Sequence, residues 1–173
     1  MMYKTGDLII YGGNGVCRVM DITERSMTGT DHEQLYYVLM PLYQNCTIYV
    51  PTNNTKVFMR PIISKEEAEQ LIDKIPTIRA EAYHSPVVSK LSGHYNALLE
   101  TNECSDLLEL CMSLHTKKQA AEQEKRKFGA MDEKFMKRAE DRLFGELAAA
   151  LDIDREDVEG YITDRISEAK RCN

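Results

Sequence analysis

The stretch that decides the reading of this chain is Tyr3-Lys4-Thr5-Gly6-Asp7-Leu8-Ile9-Ile10-Tyr11-Gly12-Gly13-Asn14-Gly15-Val16-Cys17-Arg18-Val19. A short apolar run, Leu8 to Tyr11, meets a turn made of Gly12, Gly13, Asn14 and Gly15, and a second apolar run leaves it. Glycine and asparagine accept positive φ, so this turn lets two strands run back along each other. The segment reads as the first hairpin of a small antiparallel barrel.

Working outward, the strand pattern continues to about residue 60. Val16 to Ile22 alternates apolar and polar residues, as a half-buried strand does. Thr28, Gly29 and Thr30 form a turn cluster. Leu35-Tyr36-Tyr37-Val38-Leu39-Met40 is rich in β-branched and aromatic residues and ends at Pro41. Thr47-Ile48-Tyr49-Val50-Pro51 is a further short strand, and its closing proline suits an end or an edge. Val57-Phe58-Met59-Arg60 reads as the last. About five short strands without an intervening helix indicate a small barrel or a strongly bent sheet.

Beyond Pro61 the periodicity changes from two to 3.6. Ser64 and Glu67 form a capping box in front of the stripe Ala68, Leu71, Ile72 and Ile75, and Pro76 stops that helix. Ser85-Pro86 reads as the N-cap and first turn of a second helix carrying Val87, Val88, Leu91, Tyr95, Leu98 and Leu99. Ser105 opens a third through Leu107, Leu108, Cys111, Met112 and Leu114, which runs on to Lys127 before Gly129 breaks it. The fourth starts at Met131-Asp132 and buries Phe135, Met136, Ala139, Leu143, Leu147 and Leu151. Asp154 caps a fifth, with Val158, Tyr161, Ile162 and Ile166. The expected class is therefore α+β: a small antiparallel β-barrel at residues 1–60, then a compact all-helical domain at 61–173.

The 173 residues are 43% hydrophobic and 29% charged, an ordinary globular balance, and no apolar run is long enough to span a bilayer. The N-terminus has a strand pattern, so no signal peptide is expected. Five irregularly spaced cysteines point to reduced thiols in a cytoplasmic protein, not to a disulfide framework. The net charge of −6 argues against a surface that is basic throughout. Residues 117–142 nevertheless carry nine basic against six acidic residues, while 61–116 and 143–173 are acidic. That strip reads either as a phosphate-binding edge or as a solvated helical face. Cys104, Cys111 and His115 share a helical face, but no CxxC or HExxH pattern supplies the remaining ligands of a zinc site. No phosphate loop and no nucleophile–base set is legible, so no metal, cofactor or small-molecule substrate is expected.

The pairs Gly6-Asp7, Ile10-Tyr11 and Gly15-Val16 resemble the start of the polymerase-interacting module shared by CarD/CdnL transcription regulators and transcription-repair coupling factors. Arg142-Leu143-Phe144-Gly145-Glu146-Leu147-Ala148 resembles a helix of CarD-type proteins. The resemblance implies a non-enzymatic, nucleoid-associated regulator. Its Tudor-like N-terminal module would bind the RNA polymerase β subunit through Arg25 and the strand Thr47, Ile48, Tyr49 and Val50. Its helical domain would contact promoter DNA at the upstream edge of the −10 element and alter open-complex stability. Tyr49 stands where the family commonly has an arginine, and the chain has no tryptophan to serve as the family's minor-groove wedge. Leu91 falls at that wedge position, Gly93 and His94 replace a basic pair, and Asn96 replaces a lysine. Lys90, Leu91, His94, Lys125, Arg126, Lys134 and Arg138 are the DNA-contact candidates. The alternative is a polymerase-binding adaptor without significant DNA binding.

Overall fold

The computed structural model describes residues 2–25 and 34–171, so the Thr28-Gly29-Thr30 cluster lies outside the described residues. The chain divides into two compact units, Met1–Ile63 and Ser64–Asn173.

The first unit is a five-stranded antiparallel sheet: β1 (Leu8–Tyr11), β2 (Val16–Arg25), β3 (Gln34–Pro41), β4 (Ile48–Pro51) and β5 (Met59–Pro61), in the spatial order β4-β3-β2-β1-β5. One face buries Ile9, Cys17, Val19, Tyr37, Leu39 and Val50 as a single core. A bulge between Val19 and Asp21 shifts the β2–β3 register, a device that increases local twist. The β1–β2 turn is a 3-10 turn at Gly12–Asn14, closed by the Tyr11 N–H donating to the Gly15 carbonyl at 3.0 Å.

Gly12 has φ of 43°, and a Cβ there would lie 2.7 Å from Val57 Cγ1. Both the backbone and the space therefore require glycine. Gly12→Ala should lower stability by about 1–2 kcal/mol in a denaturant titration, a cost set by left-handed backbone in an L-residue.

Two strand limits differ from the sequence reading. β2 runs on to Arg25, past Ile22, because Thr23, Glu24 and Arg25 pair with Tyr36, Leu35 and Gln34. β5 begins at Met59, not Val57. The Asn54 side chain bonds the Lys56 and Val57 amides and the Val57 carbonyl, holding that segment in a turn and leaving Val57 and Phe58 exposed.

The second unit contains α1 (Lys65–Lys74), α2 (Val88–Glu100), α3 (Cys104–Gln123), α4 (Ala130–Leu151) and α5 (Val158–Arg171). α3 and α4 form the central pair, α2 packs on both, and α1 and α5 pack on each other and on α4. The Ser64–Glu67 capping box is present in both directions, at 3.0 and 3.1 Å. Other helix ends differ from the sequence reading. α1 stops at Lys74, with Ile75 and Pro76 in a following 3-10 turn. α2 is preceded by Val87, and Ser85 instead accepts the Val87 amide two residues on. α3 starts at Cys104, ahead of Ser105, where Thr101 accepts the Glu103 amide. Asp154 heads a 3-10 turn, Arg155–Asp157, without a side-chain cap.

α3 ends at Gln123, short of Lys127. Lys125 adopts φ of 55°, and the Lys125 and Arg126 amides bond back to Glu122 and Ala121, a Schellman closure usually made by glycine. Gly129 then stands as the residue before α4.

Arg165 of α5 clamps Asp73 of α1 with two hydrogen bonds of 2.7 and 3.0 Å, and Tyr161 donates to Glu69 at 3.3 Å. The guanidinium holds the Asp73 carboxyl below the usual carboxylate range.

Glu140, half-buried on α4, has its carboxyl raised by burial and then by Glu159. Its contribution to stability is thus fully present below the unfolded value of about 4.3 and is lost as pH rises through the folded value. Glu140→Gln should raise the Tm at pH 7 and leave it unchanged below pH 4.

Candidate binding surfaces

The first surface is the outer edge of β4. The Thr52 N–H donates to the Leu35 carbonyl at 3.0 Å, and Val50 and Ile48 lie opposite Tyr37 and Leu39. Hydrogen-bonded and non-bonded pairs alternate in an antiparallel ladder. The amides and carbonyls of Ile48, Val50 and Thr52 therefore face β3, and those of Tyr49 face away from it. Pro51 also faces away, so its missing N–H costs the sheet nothing. No further strand lies beside β4 among the described residues.

Side chains follow the same alternation. Val50 is 2% exposed and belongs to the core, whereas Tyr49 is 42% exposed on the opposite face. The Arg25 guanidinium carbon sits 4.0 Å from the centroid of the Tyr49 ring. Arg25 lies opposite Gln34, and Tyr49 opposite Val38, so the arginine reaches across β3 to stack on the ring. This cation–π contact holds a charge over the open edge at a gain of about 0.5–1 kcal/mol. Of the five edge residues named from sequence, Arg25 and Tyr49 are brought together and exposed. Thr47 is exposed just before β4, and Ile48 and Val50 turn toward the sheet.

The opposite sheet edge is less open. β5 is three residues long, and its Arg60 lies opposite Ile10 between the bonded pairs Gly12–Phe58 and Leu8–Ile62. Its outward positions are Met59 and Pro61, which leaves a single outward N–H.

The second surface lies in the helical unit, on the N-terminal halves of α2 and α4. A buried polar triad joins three helices there. Tyr95 of α2 donates to Asp132 of α4 at 2.5 Å, and Lys117 of α3 contacts the same carboxylate at 3.0 Å. Asp132 is 5% exposed and Tyr95 is fully buried. Burial and then the Asp132 bond push the Tyr95 phenol well above its ordinary value, so it remains a donor. Phe135 packs on Tyr95 with centroids 5.2 Å apart, and the Arg138 guanidinium lies 5.3 Å from the Phe135 ring.

This geometry divides the basic strip. Lys117 is committed to Asp132, and Arg142 is half-buried and donates to the Leu99 carbonyl at 3.3 Å. Burial, with Arg138 nearby, lowers the Arg142 guanidinium from its usual value. Lys125, Lys127, Lys134, Lys137 and Arg138 stay exposed, and Arg126 is exposed but paired with Glu124. On α2, Lys90 is exposed, and His94 is exposed with its ring stacked on Tyr83 at 3.9 Å and 11°. Leu91 is half-buried, one turn before the buried Tyr95. The most exposed apolar residues of this region are Val87 at 44% and Val88 at 62%. They belong to the face the sequence periodicity marks as buried, but they stand at the start of α2, Val88 as its first residue and Val87 just before it.

A cavity of about 350 Å³ opens beside the Tyr83–His94 stack, lined also by Glu81, Leu98, Glu109 and Ser113. Cys104 and Cys111 are buried in α3, and burial raises the Cys111 thiol. His115 is exposed and contacts Gln119. Among the described residues, no three His, Cys, Asp or Glu side chains converge as metal ligands. No helix among them is long and apolar enough to cross a membrane.

Comparison with known families matches residues 3–63 to the CarD-like/TRCF RID domain. The matched span runs from just before β1 to just after β5 and includes the open β4 edge.

Proposed function

We propose, for a chain whose residues 3–63 are a CarD-like/TRCF RNA polymerase-interacting domain, that the β4 edge is the docking strand for the polymerase β subunit. The supporting observation is the pairing of an unsatisfied strand edge with an exposed Arg25–Tyr49 stack above it. A partner strand completes the ladder through the backbone of Tyr49, and the side chains select the partner. Thr47 extends the same outward register. Ile48 and Val50 support the strand from beneath.

The helical unit then engages promoter DNA near the upstream edge of the −10 element and changes open-complex stability. Lys90, Lys125, Lys134 and Arg138 are exposed cations suited to phosphates, with Arg126 joining once released from Glu124. Val88 is placed better than Leu91 to act as an apolar wedge at a base step, since Leu91 is half-buried. Two modest contacts on one chain reinforce each other through effective concentration.

The second reading is an adaptor that docks on polymerase without engaging DNA. The net charge of −6 and the inward use of Lys117 and Arg142 favour it. Fluorescence anisotropy on forked promoter DNA, with polymerase present, separates the two. The DNA-binding reading expects a steep salt slope that flattens in Lys125→Glu/Arg126→Glu by about two units of log K per log salt. A wild-type chain that adds no salt-dependent anisotropy to polymerase supports the adaptor. Pull-down of the β-subunit lobe should fall with Arg25→Glu, and undiminished capture by both Arg25→Glu and Tyr49→Ala removes the proposed edge.

A further inference from the structure

Between the 3-10 turn after α1 and the start of α2, residues 78–87 run without helix or strand. Two contacts pin this segment to the helices beside it. The buried Ser113 hydroxyl of α3 donates to the Glu81 carbonyl at 2.7 Å. The Tyr83 ring stacks on His94 of α2, with centroids 3.9 Å apart and planes 11° from parallel. The cavity of about 350 Å³ lies where the segment, α2 and α3 meet, with Leu98 in its wall. Its lining adds two carboxylates from different elements, Glu81 of the segment and Glu109 of α3.

Both carboxylates are exposed, and among the described residues neither takes part in an ion pair or a side-chain hydrogen bond. Residues 61–116, which supply the whole lining, carry four basic against nine acidic residues. The cavity therefore sits in the acidic part of the chain and draws cations. A metal ion is a poor occupant. Among the described residues Glu81, Glu109 and His94 do not converge as ligands, and about 350 Å³ is the space of a small organic molecule.

We propose that this cavity binds a small aliphatic diamine in its doubly protonated form. One ammonium pairs with Glu81 and the other with Glu109, and the methylene chain lies against Leu98 and the Tyr83–His94 rings. Aliphatic and aromatic walls cover the methylenes from water, and a tyrosine face attracts an ammonium. A single ammonium leaves one carboxylate without compensation, so the lining selects for two charges. The pinned segment holds its wall in place before the ligand arrives, which leaves little ordering for binding to offset. The site stands apart from polymerase docking and from DNA contact.

The test is a titration of the full chain with putrescine, followed residue by residue in amide NMR spectra. The shifts should saturate with a Kd of about 1 mM or tighter and concentrate around the cavity, at Tyr83, His94 and Glu109 among others. Glu81→Gln and Glu109→Gln, both at exposed and unpaired side chains, should keep the fold and each weaken binding roughly three- to tenfold. Glu168→Gln, at an exposed position on α5, removes the same charge and should leave the affinity unchanged. Butylamine, with one ammonium, should bind at least about threefold more weakly than putrescine. Shifts that never saturate, or an equal loss in Glu168→Gln, would show attraction to the chain's overall charge of −6 and overturn the site. Equal affinity for butylamine would overturn the diamine as its ligand.

Discussion

Replacing Asp132 with alanine is expected to destabilise the helical unit by about 3–5 kcal/mol, read from the 222 nm signal in a denaturant titration. The carboxylate is 5% exposed and accepts from both Tyr95 and Lys117. Removing it leaves a lysine ammonium and a phenol facing each other in a site with little water. Neither keeps its main partner, and the cost is the desolvation of an unpaired charge more than the loss of the contact itself. Tyr95→Phe removes one donor and leaves the ion pair, so it should cost only about 1 kcal/mol. Lys117→Met together with Asp132→Leu removes both charges and should recover much of the loss. A loss below 1 kcal/mol in Asp132→Ala would show that the triad does not hold α2, α3 and α4 together.

The second large effect is expected at Tyr49. Its N–H faces away from β3, so Tyr49→Pro breaks no bond within the sheet. The residue before it, Ile48, is already extended, the conformation a following proline requires. The change deletes the donor that a docking strand would use and leaves that strand's carbonyl unsatisfied. Affinity for the polymerase β-subunit lobe should fall about 10-fold to 100-fold, measured by titration, with the far-UV spectrum and Tm close to wild type. Tyr49→Ala removes only the ring and its stack with Arg25, and its loss should be several-fold smaller. Equal losses in the two variants would assign the docking energy to the side chain and not to the backbone edge.

The sheet and helix order were legible because their signals are local. The glycine-rich turn, the alternating strands and the Ser64–Glu67 box each specify their own element. Helix ends were harder to place, because the actual caps use backbone geometry that sequence does not display. Lys125 closes α3 in a left-handed conformation usual for glycine, so the run to Lys127 looked helical. The Val57–Phe58 pair reads as strand by type, yet the Asn54 side chain bends it into a turn.

The candidate surfaces were legible in part. Tyr49 and Arg25 could be named separately, but their stack spans three strands and depends on β2 continuing to Arg25. By sequence the charges at 117 and 142 belong to the surface strip, whereas packing turns both inward. The one hint was that Asp132 and Tyr95 recur on apolar faces of their helices. A tyrosine and a carboxylate on facing stripes need each other when buried.

The claim on which the account rests is that the outward backbone of β4 is free in the isolated protein and becomes paired when polymerase docks. Amide hydrogen exchange, resolved at single residues with and without the β-subunit lobe, measures this directly. The account predicts fast exchange at Tyr49 in the free chain and strong slowing in the complex, with Val50, already bonded to β3, changing little. A Tyr49 amide that is protected before the lobe is added, or that exchanges equally fast in a saturated complex, would contradict it.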